Sequence, residues 1–91
     1  MLESNIEKSI RRKIEAIGGK FYKWNSGVRG VPDRICILPG GRIIFVETKQ
    51  EKRTPAKLQA YQIARLRELG CDVRIVAGRK EAEGFVEEVT A

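Results

Sequence analysis

Asp33-Arg34-Ile35-Cys36-Ile37-Leu38-Pro39-Gly40-Gly41-Arg42-Ile43-Ile44-Phe45-Val46-Glu47-Thr48-Lys49 is the stretch on which the fold turns. Two strongly β-like runs, Arg34 to Leu38 and Arg42 to Lys49, flank Pro39-Gly40-Gly41. Pro suits the second position of a turn and a closing Gly takes positive φ readily, so this spacer predicts a hairpin. A three-residue loop sets Leu38 opposite Arg42. Counting outward along both strands then sets Asp33 opposite Glu47, and directly opposed side chains have Cβ atoms about 5 Å apart on one face of a sheet. Glu47 and Lys49 are two apart and share that face, while Thr48 points away. A two-residue loop would slip the register by one and send Asp33 to the face of Thr48.

Working outward, the chain before the hairpin opens with a helix. Ser4 is a candidate N-cap with Glu7 three residues later, the capping-box spacing. Ile6, Ile10, Ile14 and Ile17 recur at helical intervals, and Gly18-Gly19 stops the helix. Lys20 to Trp24 reads as a short strand, and the glycine-bearing loop from Asn25 to Gly30 leads to Pro32-Asp33. Beyond the hairpin, Thr54 as N-cap and Pro55 in the first turn open a second helix that runs to about Leu69, with Leu58, Leu66 and Leu69 as its buried stripe. Asp72 to Ala77 is a third long strand, and Lys80 to Val89 a final helix interrupted by Gly84. The order is α-β-β-β-α-β-α: an α/β domain with a small mixed sheet flanked by helices.

The chain of 91 residues holds one domain, 1–91, with no room for a second core. It has no His, which removes Ser-His-Asp, Cys-His and His-dependent nuclease chemistry. Cys36 and Cys71 are too few for a four-ligand zinc site and read as buried core thiols of a reduced, cytosolic protein. No apolar run reaches a membrane span and the N-terminus carries no signal-peptide pattern, so the expected location is the cytoplasm. Lys and Arg outnumber Asp and Glu 18 to 12, a net charge of +6. A basic surface of this kind attracts polyanions, nucleic acid above all.

The chemistry sits on the hairpin. Two opposed carboxylates repel unless a cation joins them, and an oxygen-rich site suits Mg2+. Lys49 beside them can hold a water or offset charge on a phosphate. The competing structural reading makes Asp33 a turn residue and Glu47 and Lys49 a polar strand end. Gln59 and Gln62 fall on or beside the apolar stripe of the second helix, where a buried amide needs partners: backbone, or an active-site group. Lys23 and Arg29 are candidate phosphate contacts. Trp24 and Tyr61 fit core packing better than base stacking, and Arg11, Arg12, Lys13, Arg65 and Arg67 read as solvated helix faces.

Gly30-Val31-Pro32-Asp33 followed by Phe45-Val46-Glu47-Thr48-Lys49 resembles the bipartite signature of the PD-(D/E)XK nucleases. From about Ser4 to about Val89 the chain is similar to the VRR-NUC (virus-type replication-repair nuclease) domain in its short, stand-alone phage and bacterial form. The Glu of the first helix, the run from Gly27 to Arg34, the Leu38-to-Arg42 turn, the E-x-K strand and the Gln-bearing helix ending at Leu69-Gly70 all belong to the likeness. Position 48 departs from it, with Thr where the family often has Val or Leu.

The resemblance implies a restriction-endonuclease-like core in which Asp33, Glu47 and the Thr48 carbonyl coordinate Mg2+ or Mn2+. Lys49 would position the attacking water. Glu7, or alternatively Glu3, would complete the acidic site, a role that competes with the capping box for the carboxylate of Glu7. The family's helical Gln matches Gln59, by its spacing to Gly70, or Gln62. The expected activity is metal-dependent endonucleolytic cleavage of DNA that leaves 5′-phosphate and 3′-hydroxyl ends. The expected substrate is branched, such as a four-way junction, and the expected enzyme a homodimer with no small-molecule cofactor. Three rivals stand beside it: a non-catalytic nucleic-acid-binding domain, a flap or duplex nuclease of restriction type, and the nuclease part of a larger assembly that a partner protein targets.

Overall fold

The computed structural model describes residues 3–91, with side chains from residue 5 onward. The chain runs α1 (Glu3–Ala16), β1 (Lys20–Lys23), β2 (Arg34–Ile37), β3 (Ile43–Lys49), α2 (Lys57–Glu68), β4 (Val73–Ala77) and α3 (Gly78–Val89). This is the expected order of elements. One four-stranded sheet has the spatial order β1-β2-β3-β4. The first three strands are antiparallel, and β4 lies parallel to β3 because α2 carries the chain back across the sheet. Among the described residues no helix is long and apolar enough to cross a membrane.

The hairpin register is set by its loop. Leu38 N–H donates to the Arg42 carbonyl at 2.8 Å, and Gly41 N–H to the Leu38 carbonyl at 3.0 Å. Gly40 and Gly41 have φ of 92° and 87°, values that residues with a Cβ rarely adopt. Arg34 pairs with Val46, Ile35 with Phe45, Cys36 with Ile44 and Ile37 with Ile43. Asp33 lies one residue beyond the last of these pairs, where the same register would face Glu47.

Strand alternation divides the sheet into two unlike faces. On one, Ile6, Ile10 and Ile14 of α1 and Ala82, Phe85, Val86 and Val89 of α3 form a single buried cluster with Phe21, Cys36, Ile44, Val46 and Val76. The other face carries Tyr22, Ile35, Phe45, Glu47 and Lys49. There α2 packs on β4, leaving Tyr22 and Ile43 about half exposed.

Several local expectations need correction. The helix α1 already includes Ser4, whose side chain lies outside the described residues, and it ends at Ala16, so Ile17 falls in the turn and is 41% exposed. The helix α2 begins at Lys57, not at Thr54-Pro55, with Ala56 as its N-cap at ψ 163°. Proline disfavours helical backbone in the residue before it, which keeps Thr54 extended. The apolar stripe of α2 is also not the expected one. Ile63 is its buried residue, while Leu58 and Leu69 are exposed. Tyr61 is exposed rather than packed. Both cysteines are free thiols, Cys36 buried and Cys71 only half-buried. Burial pushes the Cys36 thiol up to about 11, against a smaller opposing pull from Arg42.

Candidate active site

The carboxyl-terminal end of β3 meets the amino-terminal end of α2, and Glu47 is where they join. Glu47 is buried even though it is charged. A buried carboxylate must be paired and hydrogen-bonded to be tolerated. Lys49 Nζ lies 3.3 Å from Glu47 Oε2, and Gln59 Nε2 donates to the same oxygen at 3.1 Å. The other end of the Gln59 amide is used as well, since its Oε1 accepts the Ala56 N–H at 3.1 Å. Gln59 thus caps its own helix and holds the Glu47 carboxylate with one side chain. Gln62, the alternative, lies three residues further along α2, just under one turn, and is half-buried.

A cleft of about 590 Å3 opens beside this pair, lined by Arg29, Gly30, Lys49, Arg53, Thr54 and Gln59 among others. Gly30 is where α2 comes closest to the glycine loop. Its φ is 86°, and a Cβ there would meet Leu58 at 2.8 Å. Arg53 belongs to the charged run Gln50-Glu51-Lys52-Arg53 between β3 and α2. The turn closed by Arg53 N–H on the Gln50 carbonyl brings it back to the cleft. The cleft therefore presents three cationic groups, Arg29, Lys49 and Arg53, to one volume.

Asp33 precedes β2 and its side chain is 57% exposed. Its carbonyl accepts the Trp24 N–H at 2.8 Å, which fixes the backbone against the end of β1. Its carboxylate turns toward Arg34, with Oδ1 3.2 Å from Nη1. Trp24 stacks on Phe45 on the cleft face, ring centroids 5.3 Å apart. Lys23 is exposed and pairs with Arg34, which in turn pairs with Val46. Strand parity therefore points Lys23 to the α1 face, away from the cleft.

Glu7 also stands on the α1 face. Its two oxygens accept from Arg34 Nη2 at 2.6 Å and from the Thr48 hydroxyl at 2.8 Å. Through Arg34 it connects to Asp33, and through Thr48 to the strand that bears Glu47 and Lys49. The side chain of Glu3, the alternative, lies outside the described residues. The roles of Arg34 and of the Thr48 hydroxyl were not legible in the sequence, because they depend on how closely α1 approaches the sheet.

No protein-family profile matches the chain. The phage protein "Putative nuclease p44" of Acyrthosiphon pisum secondary endosymbiont phage 1 is 45% identical over 75 residues, 81% of this chain and 81% of that protein. A solved structure described as "VRR_NUC domain" superimposes with a TM-score of 0.85 at 34% identity, covering 93% of this chain and 94% of its own.

Proposed function

We propose, given that this chain belongs to the VRR-NUC family of nucleases, that it hydrolyses DNA phosphodiester bonds with Mg2+ or Mn2+ at Asp33, Glu47 and Lys49, beside the cationic cleft that Lys49 and Gln59 line. The observation that carries this reading is a buried carboxylate, Glu47, held by an amide and an ammonium at the wall of a cationic cleft.

The donor chemistry fits a hard cation. Asp33 and Glu47 offer carboxylates from neighbouring strand positions, and Thr48 offers a carbonyl between Glu47 and Lys49. Among the described residues no group of three or more His, Cys, Asp or Glu gathers as a metal cage. Mg2+ needs only one or two carboxylates and keeps several waters, so such a cage is not required. A bound divalent ion supplies Lewis acidity to the phosphoryl oxygen and to the attacking water.

The protein's own groups account for the remaining work. Lys49, anchored on Glu47, can hold the attacking water and offset charge that develops on the phosphate. Gln59 keeps Glu47 in one rotamer. Arg29 and Arg53 stand where phosphates flanking the scissile bond would lie, and they position the strand without reading sequence. The products carry a 5′-phosphate and a 3′-hydroxyl.

Branched DNA, a four-way junction in particular, is the proposed substrate, and a homodimer the proposed enzyme. A domain of 91 residues buries little surface alone. The face of β1 to β3 that α2 leaves open, with Tyr22 and Ile43 half exposed, supplies apolar surface for a second copy. Two sites related by a two-fold axis would nick opposed strands. The phage relative favours action in the cytoplasm of a bacterial host.

The test is direct. Purified protein is incubated with labelled four-way junction, flap, duplex and single strand in Mg2+, Mn2+ or EDTA, and its mass in solution is measured by light scattering. The expected result is metal-dependent nicking of the junction by a dimer. Lys49→Ala should bind the junction and fail to cut it. Binding without cutting in either metal would reduce the domain to an inert DNA-binding module. Equal cutting of every substrate would remove the preference for branched DNA.

A further inference from the structure

We infer that Glu7 is a positioning residue: from the opposite side of the sheet, its carboxylate ties the segment bearing Asp33 to the segment bearing Glu47 and Lys49. The inference rests on the catalytic reading above and deepens it.

Three contacts make the tie. The Thr48 side chain projects away from Glu47 and Lys49 on either side of it, and its hydroxyl donates to Glu7 Oε1 at 2.8 Å. Arg34 Nη2 donates to Glu7 Oε2 at 2.6 Å. Arg34 Nη1 donates to the Asp33 carbonyl at 3.0 Å and lies 3.2 Å from Asp33 Oδ1. One carboxylate on α1 therefore spans β2 and β3 at the level where the site residues leave the sheet. The side chains of Arg34 and Glu7 are only 11% and 13% exposed. At that depth a broken ion pair leaves an uncompensated charge, so the geometry is enforced.

The chemistry of the pair explains why a carboxylate suits position 7. Each oxygen takes a different donor, one from each strand. An amide would offer one acceptor and a competing donor. Glu7 also satisfies a guanidinium that would otherwise turn wholly to Asp33 and draw its carboxylate away from Glu47. Both effects act on spacing between reacting groups, and a misplacement of about 1 Å can lower a rate about a hundredfold.

The test uses Glu7→Ala, Thr48→Val and the double variant, each checked for folding by thermal melting. Thr48→Val is close in shape and stays β-branched, so it keeps the strand if Glu7→Ala does not fold. Junction-cleavage kinetics at saturating metal should show kcat lowered about tenfold or more in Glu7→Ala and several-fold in Thr48→Val, with KM unchanged. The double variant should be no slower than Glu7→Ala, because both substitutions cut the same tie. Glu7→Gln should recover part of the rate through its one acceptor.

A second readout needs neither metal nor DNA. The Trp24 N–H is bonded to the Asp33 carbonyl, so its hydrogen exchange reports on that segment. It should exchange faster in Glu7→Ala, and to a lesser degree in Thr48→Val, than in the parent protein. Additive rate losses in the double variant would overturn the inference, as would a Glu7→Ala defect confined to sub-saturating Mg2+, which would make Glu7 a cation ligand. Unchanged Trp24 exchange would overturn it as well. Failure of the catalytic reading would look different: Lys49→Ala would cut normally while Trp24 exchange still responded to Glu7.

Discussion

The two faces of this sheet are built to different standards. Toward α1 and α3, Ile6, Ile10, Ile14, Ile44, Val46 and Cys36 are fully buried. Toward α2, Ile63 is the helix's buried residue, and Leu58 and Tyr61 are 44% and 59% exposed. The first face carries the free energy of folding, because each buried aliphatic side chain contributes about 1.5–3 kcal/mol. The second face is left loose enough to hold a cleft, which Arg29, Lys49 and Arg53 line. A small domain has one good core to spend on stability, and this one leaves its cationic cleft on the other side of the same strands.

The sharpest way to break that comparison is through the thiols. Cys36 lies in the well-packed face, and burial raises it to about 11, so at neutral pH it is both enclosed and protonated. Cys71 is half-buried at the end of α2. A thiol reagent at about pH 8 should label Cys71 readily, and Cys36 at least about a thousandfold more slowly, at a rate set by unfolding. Comparable labelling of the two would mean that the α1 face opens as easily as the α2 face.

Truncation separates the faces next. Ile44 and Ile43 are neighbours on β3 that point in opposite directions, one fully buried and the other 49% exposed. Ile44→Ala should destabilise by about 2–5 kcal/mol, and Ile43→Ala by less than about 1 kcal/mol, in urea titrations. If the parent protein self-associates by light scattering and Ile43→Ala weakens that association with its stability unchanged, the open face is the contact between copies.

Gln59 tests the cleft side alone. It donates to Glu47 and accepts from Ala56, so Gln59→Ala removes a hydrogen bond to a charged group and a helix cap together. A loss of about 1–2 kcal/mol in stability and about tenfold in kcat is expected. Gln59→Glu keeps the acceptor for the cap but faces Glu47 with a second carboxylate. Stability should return toward that of the parent while cleavage stays impaired. Cleavage that follows stability in both variants would reduce Gln59 to a capping residue.

What the sequence made legible follows the same division. The order of elements and the hairpin register were readable because Pro39-Gly40-Gly41 allows few turns, and loop length then fixes every pair out to Asp33 and Glu47. The isoleucines of α1 were readable because 3.6-residue periodicity reports a fully buried stripe. The helix α2 was harder. Its Leu58 and Leu69 also fit a helical stripe, but α2 buries only Ile63, and periodicity does not report how much of a stripe the neighbouring elements cover. Arg34, Arg53 and the Thr48 hydroxyl escaped notice for a related reason. Their partners are remote in sequence, and a charged or hydroxylated side chain reads as solvated until an approaching helix or loop covers it.

The smallest expected effect comes from an ion-pair chain at the end of the sheet far from the cleft. Asp72 receives Arg74 Nε at 2.6 Å and Arg42 Nη2 at 3.0 Å, and Arg74 reaches on to Glu88 of α3 at 2.7 Å. The Arg74 hydrogen bond, with Arg42 in support, holds the Asp72 carboxyl below its ordinary 3.8 against the opposing push of burial. A lowered carboxyl pKa in the folded state means that the contribution to stability is fully present above the ordinary value and is lost as pH falls through the lowered one. The network is partly open to solvent, which screens it, so Asp72→Asn should cost about 1 kcal/mol or less at neutral pH. Urea titrations of parent and variant should converge as the pH is taken below 3.8. A gap that persisted in acid would show that Asp72 acts through its hydrogen-bonded shape and not its charge. The contrast with the Glu7-Arg34-Thr48 chain would then rest on depth of burial alone. Both chains lie on the α1 and α3 side of the sheet and both join elements distant in sequence, but only the Glu7 chain is buried beside the residues that would cut DNA.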